Sequence, residues 1–246
     1  FGTLVLAVLL GFDLKDAASI GIIGAADGPT SIFVANFFNS KYLGAITVAA
    51  YSYMALVPII QPFAIKLVTT KEERMIRMPY RPRDVSKTVR ILFPIGVSII
   101  AGFIAPTSLS LIGMLMFGNL IRESGVLNSL SRTAQNELVN LITILLGISI
   151  ASRMRAVDFV NIQTLMIICL GLVAFIFDTI FGVLFVKLLN LFSRTKINPM
   201  VGAAGISAFP MSARVIHKMG LKEDKQNFLL MHTIGANVAG QIASVI

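Results

Sequence analysis

Long stretches without charged residues constrain this chain more than any other feature. Tyr42–Ile65 and Ile91–Ile121 contain no Asp, Glu, Lys or Arg, and Phe159–Val186 contains only Asp178. A helix needs about 20 apolar residues to cross the hydrocarbon core of a membrane. Charged residues make up 13% of the 246 residues, against about 25% in a soluble domain. The composition therefore predicts a multi-pass membrane protein and excludes a water-soluble globular enzyme.

The pattern of these stretches favours helices. No stretch alternates apolar and polar residues with a period of two, as the strands of a membrane β-barrel do. Because backbone groups in lipid must form hydrogen bonds within the protein, helices are the remaining structure that can span the membrane. We predict an all-α fold with residues 1–246 as one membrane domain, and expect a fragment that lacks N-terminal spans because the chain starts within an apolar run. The predicted apolar segments are Ala17–Ser40, Tyr42–Ile65, Ile91–Ile121, Leu138–Ser152, Phe159–Val186, Ile197–Ala213 and Gln226–Ile246.

The net charge of +9 is concentrated in one loop, Lys66–Arg90. Loops rich in Lys and Arg face the cytoplasm in membrane proteins, so this loop is predicted to be cytoplasmic. A docking surface for an acidic soluble partner is an alternative that is compatible with this topology. The basic charge thus indicates orientation and not binding to nucleic acid.

Two apolar segments, Gly21–Ser31 and Asn198–Pro210, contain the glycines and prolines that interrupt helices. Each is predicted to form a half-helix, a short unwound stretch and a second half-helix. Unwound backbone survives at membrane depth only where it is buried in protein or lines a wet cavity. Paired interruptions in two halves of a chain indicate a transporter's binding site, although close helix packing by small residues is an alternative.

Asp27, inside the first interruption, favours a site over packing. A charged carboxylate at the bilayer centre costs about 2.5–3.5 kcal/mol on insertion scales, so it requires a partner or a function. The polar residues at and near the interruptions offer oxygen atoms, which hard cations prefer. We therefore predict a Na⁺ site, with a proton as the alternative. Its predicted ligands are Asp27, Thr30, Asn198, Ser207 and Asn237.

Other polar residues in the apolar segments leave alternatives open. Arg214 is suited either to binding a carboxylate with both guanidinium nitrogens or to reaching the membrane interface. Tyr51 and Tyr53 point to different sides of a helix, so one of them is expected to face a cavity as a proton donor, and packing is the alternative. No interruption surrounds Asp178, which favours a helix-end or interface residue.

These motifs resemble those of the membrane β subunit of the biotin-dependent, Na⁺-translocating decarboxylases. That family includes enzymes for oxaloacetate, methylmalonyl-CoA, glutaconyl-CoA and malonate. The resemblance implies a fold similar to inverted-repeat transporters, with the two broken helices meeting near the membrane midplane, in the cytoplasmic membrane of a bacterium or archaeon. It covers almost the whole chain and rests on Gly24–Thr30, Tyr51–Met54, Gly118–Val126, Asn198–Arg214 and Gly235–Gly240.

The resemblance also implies a function, namely decarboxylation of carboxybiotin coupled to Na⁺ export. It implies catalytic roles for Asp27, Tyr53 and Arg214, and binding of carboxybiotin by Arg214, Ser207 and Gly202. The expected partners are biotin-carrier and carboxyltransferase subunits, a small membrane-anchoring subunit, membrane lipid and further copies of this chain. Binding to nucleic acid is not expected.

Two other functions fit part of the pattern. A Na⁺-coupled secondary transporter of a small anion would use the same interruptions together with Asp27 and Arg214. A scaffold that transports nothing would explain the small residues but not Asp27. For the substrate class, Gly235–Asn237 favours an acyl-CoA over oxaloacetate, because the oxaloacetate members tend to carry Pro in this motif.

Overall fold

The computed structural model describes residues 2–79, 84–153 and 161–246. Every regular element within those ranges is a helix, which confirms the predicted all-α fold. In chain order the α-helices are α1 (Gly2–Leu9), α2 (Leu14–Gly21), α3 (Gly28–Phe37), α4 (Leu43–Val68), α5 (Lys71–Arg74), α6 (Lys87–Ile104), α7 (Leu109–Ser124), α8 (Asn128–Thr133), α9 (Val139–Arg153), α10 (Ile162–Phe192), α11 (Met211–Glu223) and α12 (Leu230–Val245).

Three of the described helices, α4, α6 and α10, are long and apolar enough to cross a membrane. Two of them, α4 and α10, correspond to the predicted apolar segments Tyr42–Ile65 and Phe159–Val186. The third segment, Ile91–Ile121, is divided, because α6 ends at Ile104 and α7 begins at Leu109 after a 3₁₀ turn at Pro106–Ser108. Proline has no backbone N–H and clashes with the preceding turn, which accounts for the division.

Contacts divide the described residues into two compact groups. One is formed by residues 2–79 with 161–244, and the other by residues 84–153 with the last two residues of the chain. In the first group α10 packs against α4, and fully buried apolar side chains of both helices, including Val57 and Phe175, contribute to its core. In the second group α6 packs against α7, and Arg90 forms an ion pair with Glu123 at 3.4 Å. The single membrane domain stays a prediction.

Within the first interruption the structure has a break between two helices, and a broken membrane-spanning helix there stays a prediction. Helix α2 ends at Gly21, a 3₁₀ turn covers Ile22–Ala25, and α3 begins at Gly28. Ala26 between them has a φ of 51° and a ψ of 42°, a left-handed conformation that residues other than glycine adopt rarely. Asp27 precedes α3 with Pro29 in its first turn, where the missing N–H of proline costs nothing.

The second interruption has a different local form. Pro199–Gly205 is a 3₁₀ helix that begins after Asn198, whose side-chain oxygen accepts a hydrogen bond from the N–H of Met200. Ile206 is extended, and α11 begins at Met211. A 3₁₀ helix thus stands where the sequence predicts the first half-helix. Asn198 and Ala208 are fully buried, whereas Phe209 near the end of the segment is exposed.

The first part of the basic loop, up to Arg77, is attached to the rest of the first group by ion pairs. Arg74 binds Glu223 at 2.8 Å, and Arg77 binds Asp224. This hydrogen bond from Arg77 lowers the pKa of Asp224 below its usual value. Arg81 and Arg83, which belong to the predicted cytoplasmic loop, lie outside the described residues.

A further ion pair holds α5 against α10. Lys187 binds Glu73 at 2.9 Å, and Glu73 also accepts a hydrogen bond from the N–H of Thr70 in a capping box. Burial raises the pKa of Glu73, but the hydrogen bonds from Lys187 and Thr70 outweigh it and leave the pKa below its usual value. The start of the loop is therefore fixed to two helices of the first group.

Candidate functional site

Asp27 lies at the meeting point of the two interruptions. Its side-chain oxygen Oδ2 accepts hydrogen bonds from Thr30 at 2.7 Å and from Ser207 at 2.9 Å. Asp27 is 8% exposed and Ser207 is 3% exposed. Among the described residues, Oδ1 of Asp27 accepts no hydrogen bond from a side chain. One carboxylate oxygen is thus held by hydroxyl groups, and the other remains free for a ligand.

The hydrogen-bond donors to Asp27 come from two elements. Thr30 lies in the first turn of α3, so its approach to Asp27 follows from local helix geometry. Ser207 lies in the second interruption, directly after the extended residue Ile206, and its hydroxyl is also 3.0 Å from that of Ser244 in α12. One residue near Asp27 in sequence and one distant residue therefore converge on the carboxylate.

Asn237 in α12 brings an oxygen atom without a partner to the same segment. Its Nδ2 donates a hydrogen bond of 2.6 Å to the carbonyl of Ile206, the residue before Ser207. Its Oδ1 is buried and has no hydrogen-bond partner. A buried polar oxygen without a partner is costly, and a bound cation would satisfy it. The predicted role of Asn237 as a Na⁺ ligand stays a prediction.

Asn198 has different contacts. Its Nδ2 donates hydrogen bonds of 2.9 Å to the carbonyls of Arg74 and Ile76, and its oxygen accepts from Met200. The side chain thus connects the start of the second interruption to the basic loop. The predicted role of Asn198 as a Na⁺ ligand stays a prediction.

Gly202 is required by packing. A Cβ atom added to Gly202 would overlap the backbone carbonyl of Gly182 in α10, and a Cβ on Gly182 would overlap the carbonyl of Gly202. The backbones of the 3₁₀ helix and α10 are therefore in direct contact. Gly202 also lines the cavity described below, and its binding of carboxybiotin stays a prediction.

The two tyrosines of α4 face different neighbours. Tyr53 is buried, and its hydroxyl donates a hydrogen bond to the carbonyl of Ile168 in α10. The ring of Tyr51 lies over Gly28, where an added Cβ would be 2.5 Å from the ring carbon Cε2. Tyr51 thus lies beside the first interruption. The spacing of the two tyrosines in the sequence did not determine which of them would lie there. The catalytic role of Tyr53 stays a prediction.

Arg214 lies apart from these contacts, on a second cavity of about 410 Å³ between α4 and α11. Lys66, Lys218 and Lys222 line the same cavity. Glu223 also lines it, but this carboxylate is bound to Arg74. Among the described residues, the four cationic side chains have no ion-pair partner, so the cavity is suited to an anion.

Asp178 is not a helix-end residue, contrary to the interpretation from sequence. It lies near the middle of α10, and its Oδ2 would be 2.6 Å from a Cβ added to Gly24 in the first interruption. The sequence carried no signal of this contact, because it joins residues of two distant segments. Asp178 also lines a cavity of about 780 Å³ together with Ser207 and Ser244.

All 246 residues match the family model described as the Na⁺-transporting oxaloacetate decarboxylase beta subunit. The chain belongs to this family. It is 53% identical over 238 residues to the oxaloacetate decarboxylase beta chain of Klebsiella pneumoniae, covering 97% of this chain and 55% of the relative. It is 52% identical over 246 residues to the glutaconyl-CoA decarboxylase subunit beta of Acidaminococcus fermentans, covering 100% of this chain and 65% of the relative.

A third relative is the methylmalonyl-CoA decarboxylase subunit beta of Veillonella parvula, at 51% identity over 240 residues, covering 98% of this chain and 64% of the relative. The chain thus spans between about half and two thirds of the length of these three relatives. Relatives named for oxaloacetate and for acyl-CoA substrates are equally similar to it. The preference for an acyl-CoA substrate therefore stays a prediction.

Proposed function

We propose that this chain provides the membrane part of a decarboxylase that couples CO₂ release from carboxybiotin to Na⁺ export. The observation that carries the proposal is the hydrogen bond from Ser207 to Asp27, because it joins the two interruptions at one carboxylate. Membership of the family favours this function over a Na⁺-coupled secondary transporter. An inverted-repeat fold with both interruptions near the membrane midplane is part of the proposal.

Na⁺ is the transported ion in this proposal, and Asp27 is its charged ligand. The Asp27 carboxylate and the buried Oδ1 of Asn237, which has no hydrogen-bond partner, are proposed as its main ligands. The hydroxyl groups of Thr30 and Ser207 donate hydrogen bonds to Asp27, and their oxygens keep lone pairs for an ion. A donor set made only of oxygen, with one negative charge, suits a hard monovalent cation.

Carboxybiotin is proposed to bind by its carboxylate at Arg214. The lysines that line the same cavity raise the local concentration of anions. In the reaction the bond between the carboxyl carbon and the ureido nitrogen breaks, CO₂ leaves, and the nitrogen takes up one proton. Tyr53 or a water molecule supplies that proton in the proposal, while Ser207 and Gly202 contribute to binding.

Coupling requires that Na⁺ and carboxybiotin influence each other's binding. Moving one charge against 100 mV costs about 2.3 kcal/mol, which decarboxylation must supply. A ligand that binds two conformations equally shifts no equilibrium, so the inward and outward conformations must differ in Na⁺ affinity. Ser207 supports this coupling, because it contacts Asp27 and lies in the segment that precedes Arg214.

The proposal includes several partners. Carboxybiotin must be delivered by a biotin-carrier subunit and formed by a carboxyltransferase subunit, and a small membrane-anchoring subunit completes the complex. Residues in the basic loop, such as Lys71, offer a surface for these subunits at the cytoplasmic side. Lipid and further copies of this chain are also expected to bind it. The compartment proposed is the cytoplasmic membrane of a bacterium or archaeon.

Reconstitution of the complete complex in proteoliposomes tests the proposal. Asp27→Asn is expected to abolish ²²Na⁺ uptake driven by carboxybiotin decarboxylation, because it removes the charged ligand. Asp16→Asn is the matched control, since Asp16 is also buried, at 6% exposure, but bonds Ser40 away from the site. Full Na⁺ uptake by Asp27→Asn, or an equal loss in Asp16→Asn, would refute the role of Asp27.

Inhibition of transport by avidin distinguishes the proposed function from that of a secondary transporter. Avidin binds biotin, so it is expected to stop Na⁺ transport by the complex if decarboxylation of carboxybiotin drives it. Transport of Na⁺ with a small anion that continues at full rate in the presence of avidin would instead establish the transporter.

A further inference from the structure

Gln61 is a fully buried polar residue of α4, and the proposed mechanism does not use it. Helix α4 is among the described helices that are long and apolar enough to cross a membrane. In such helices a buried amide side chain forms hydrogen bonds to neighbouring segments. The partners of Gln61 therefore show which elements it holds together.

The amide nitrogen of Gln61 donates two hydrogen bonds to the segment around the second interruption. One goes to the carbonyl of Ala203 in the 3₁₀ helix at 2.9 Å, and the other to the hydroxyl of Ser212 in the first turn of α11 at 2.6 Å. Ser212 donates in turn to the carbonyl of Ala203 at 3.3 Å. Because a backbone carbonyl can only accept, the amide must present its nitrogen to Ala203. Gln61 thus joins α4, the 3₁₀ helix and the start of α11.

Two prolines beside Gln61 form a wall of the cavity that contains Arg214. Pro58 and Pro62 line this cavity from α4, and Arg214 lines it from α11. Each proline lacks a backbone N–H and therefore removes one hydrogen bond within α4. Helix α4 is thus easier to bend next to Gln61 than elsewhere along its length.

The oxygen of the Gln61 amide argues against a purely structural role. This Oε1 is buried and has no hydrogen-bond partner among the residues that the structure describes. A buried acceptor without a partner is unfavourable, and an unbranched apolar side chain such as methionine would fill a similar volume without that cost. Packing and stability alone therefore do not account for a glutamine at this position.

We propose that Gln61 is a positioning residue that transmits binding at the Arg214 cavity to the second interruption, and thereby couples decarboxylation to Na⁺ transport. This inference rests on the proposed function, since it assigns the connection between the two sites. A shift of α4 at the cavity wall moves the amide of Gln61, and with it the 3₁₀ helix that accepts its hydrogen bond. A ligand in the cavity thus favours one conformation of the second interruption.

The connection between the two sites is short. Ser212, which accepts a hydrogen bond from Gln61, lies two residues before Arg214. Gln61 also binds Ala203, and Ser207, the residue that joins the two interruptions, follows four residues later. These contacts form a continuous chain of hydrogen bonds and short backbone segments.

The test uses the complete complex in proteoliposomes and measures ²²Na⁺ uptake per CO₂ released. Gln61→Met keeps the length of the side chain but removes both hydrogen bonds, and it is expected to lower this ratio at least about fivefold, the lower end of usual coupling between two sites. A purely structural role would lower uptake and CO₂ release together and leave the ratio unchanged. The matched control is Thr47→Val, because Thr47 is also buried in α4 but donates to the carbonyl of Leu43 in the same helix.

An unchanged ratio in Gln61→Met overturns the inference, and so does an equal fall in Thr47→Val. If Gln61→Met does not assemble, Ser212→Ala carries the test, because it removes the bond between Gln61 and α11. The ratio of the assembled Ser212→Ala complex must then fall, and an unchanged ratio overturns the inference. Failure of the proposed function has a different signature, since a wild-type complex that releases CO₂ without taking up Na⁺ would contradict that function itself.

Discussion

Ser207 donates a hydrogen bond of 2.9 Å to Oδ2 of Asp27, across 180 residues of sequence. Thr30 donates to the same oxygen at 2.7 Å. The first bond depends on the fold of the second interruption, whereas the second forms within one turn of α3. The presence of the Ser207 bond at the carboxylate therefore shows whether the two interruptions are in contact.

Replacing Ser207 by Ala tests this relationship. A hydrogen bond to a charged group contributes about 1.5–3 kcal/mol, so Ser207→Ala is expected to lower Na⁺ affinity about tenfold or more, measured by Na⁺-dependent decarboxylation. Ser19→Ala is the control, because Ser19 is fully buried but donates to the carbonyl of Lys15. A wild-type Na⁺ curve for Ser207→Ala would contradict the expected contribution of this hydroxyl.

Gly202 and Gly205 form a matched pair in the same 3₁₀ helix. Gly202→Ala is expected to destabilise the protein by about 1–3 kcal/mol, the usual cost of overpacking, because its Cβ would overlap the carbonyl of Gly182. Gly205→Ala is expected to be tolerated, since a Cβ there meets no atom within 4 Å. Thermal unfolding of the purified complex measures both. Equal melting temperatures for the two variants would show that the close contact is absent in the membrane.

Phenylalanine variants of Tyr53 and Tyr51 distinguish proton donation from packing. Tyr53→Phe is expected to lower the decarboxylation rate at least about tenfold, as general acid catalysis contributes about 10²–10⁴-fold, and to cost about 1 kcal/mol through the lost bond to Ile168. Tyr51→Phe is expected to have a smaller effect on rate. The opposite order of the two rates would assign the proton to Tyr51, whose ring lies beside the first interruption.

The bond between Arg77 and Asp224 predicts a pH dependence of stability. The pKa of Asp224 is lowered by the hydrogen bond from Arg77, so the folded state binds this proton less readily than the unfolded state. The stabilisation is complete above the ordinary pKa of about 3.9 and is lost as the pH falls through the lower folded value. The melting temperature of Asp224→Asn is therefore expected to be slightly below wild type at neutral pH.

The difference between Asp224→Asn and wild type should disappear at strongly acidic pH, where both side chains are uncharged. Arg77→Gln is the matched variant, because it removes the other partner of the same bond and should reproduce the neutral-pH difference. A difference that stays constant from acidic to neutral pH would contradict the ionic contribution.

Sequence alone predicted the features that depend on local chemistry. The uncharged stretch Tyr42–Ile65 located α4 within a few residues, and the glycines and Pro29 of Gly21–Ser31 lie where α2 gives way to a 3₁₀ turn and then to α3. The proximity of Thr30 to Asp27 also follows from helix geometry, since residues three apart lie on one face. These features need no knowledge of which segments meet.

Features that depend on tertiary contacts were not predictable in the same way. The hydrogen bonds of Asn198 to the basic loop and the contact of Asp178 with Gly24 join segments far apart in sequence. Nothing in the local pattern around Asp178 distinguishes it from a residue at a helix end. The 3₁₀ form of Pro199–Gly205 likewise depends on how closely its backbone approaches Gly182.

The direct backbone contact between Gly182 and Gly202 limits how the 3₁₀ helix and α10 can move relative to each other. Side chains can change rotamer to let two helices slide, but two backbones in direct contact have no side chains between them that could rearrange. The 3₁₀ helix and α10 must therefore shift together as one rigid element, or separate completely. A second contact of this kind joins Gly205 at the other end of the 3₁₀ helix to Gly240 in α12, so displacing the 3₁₀ helix disturbs two neighbouring helices at once.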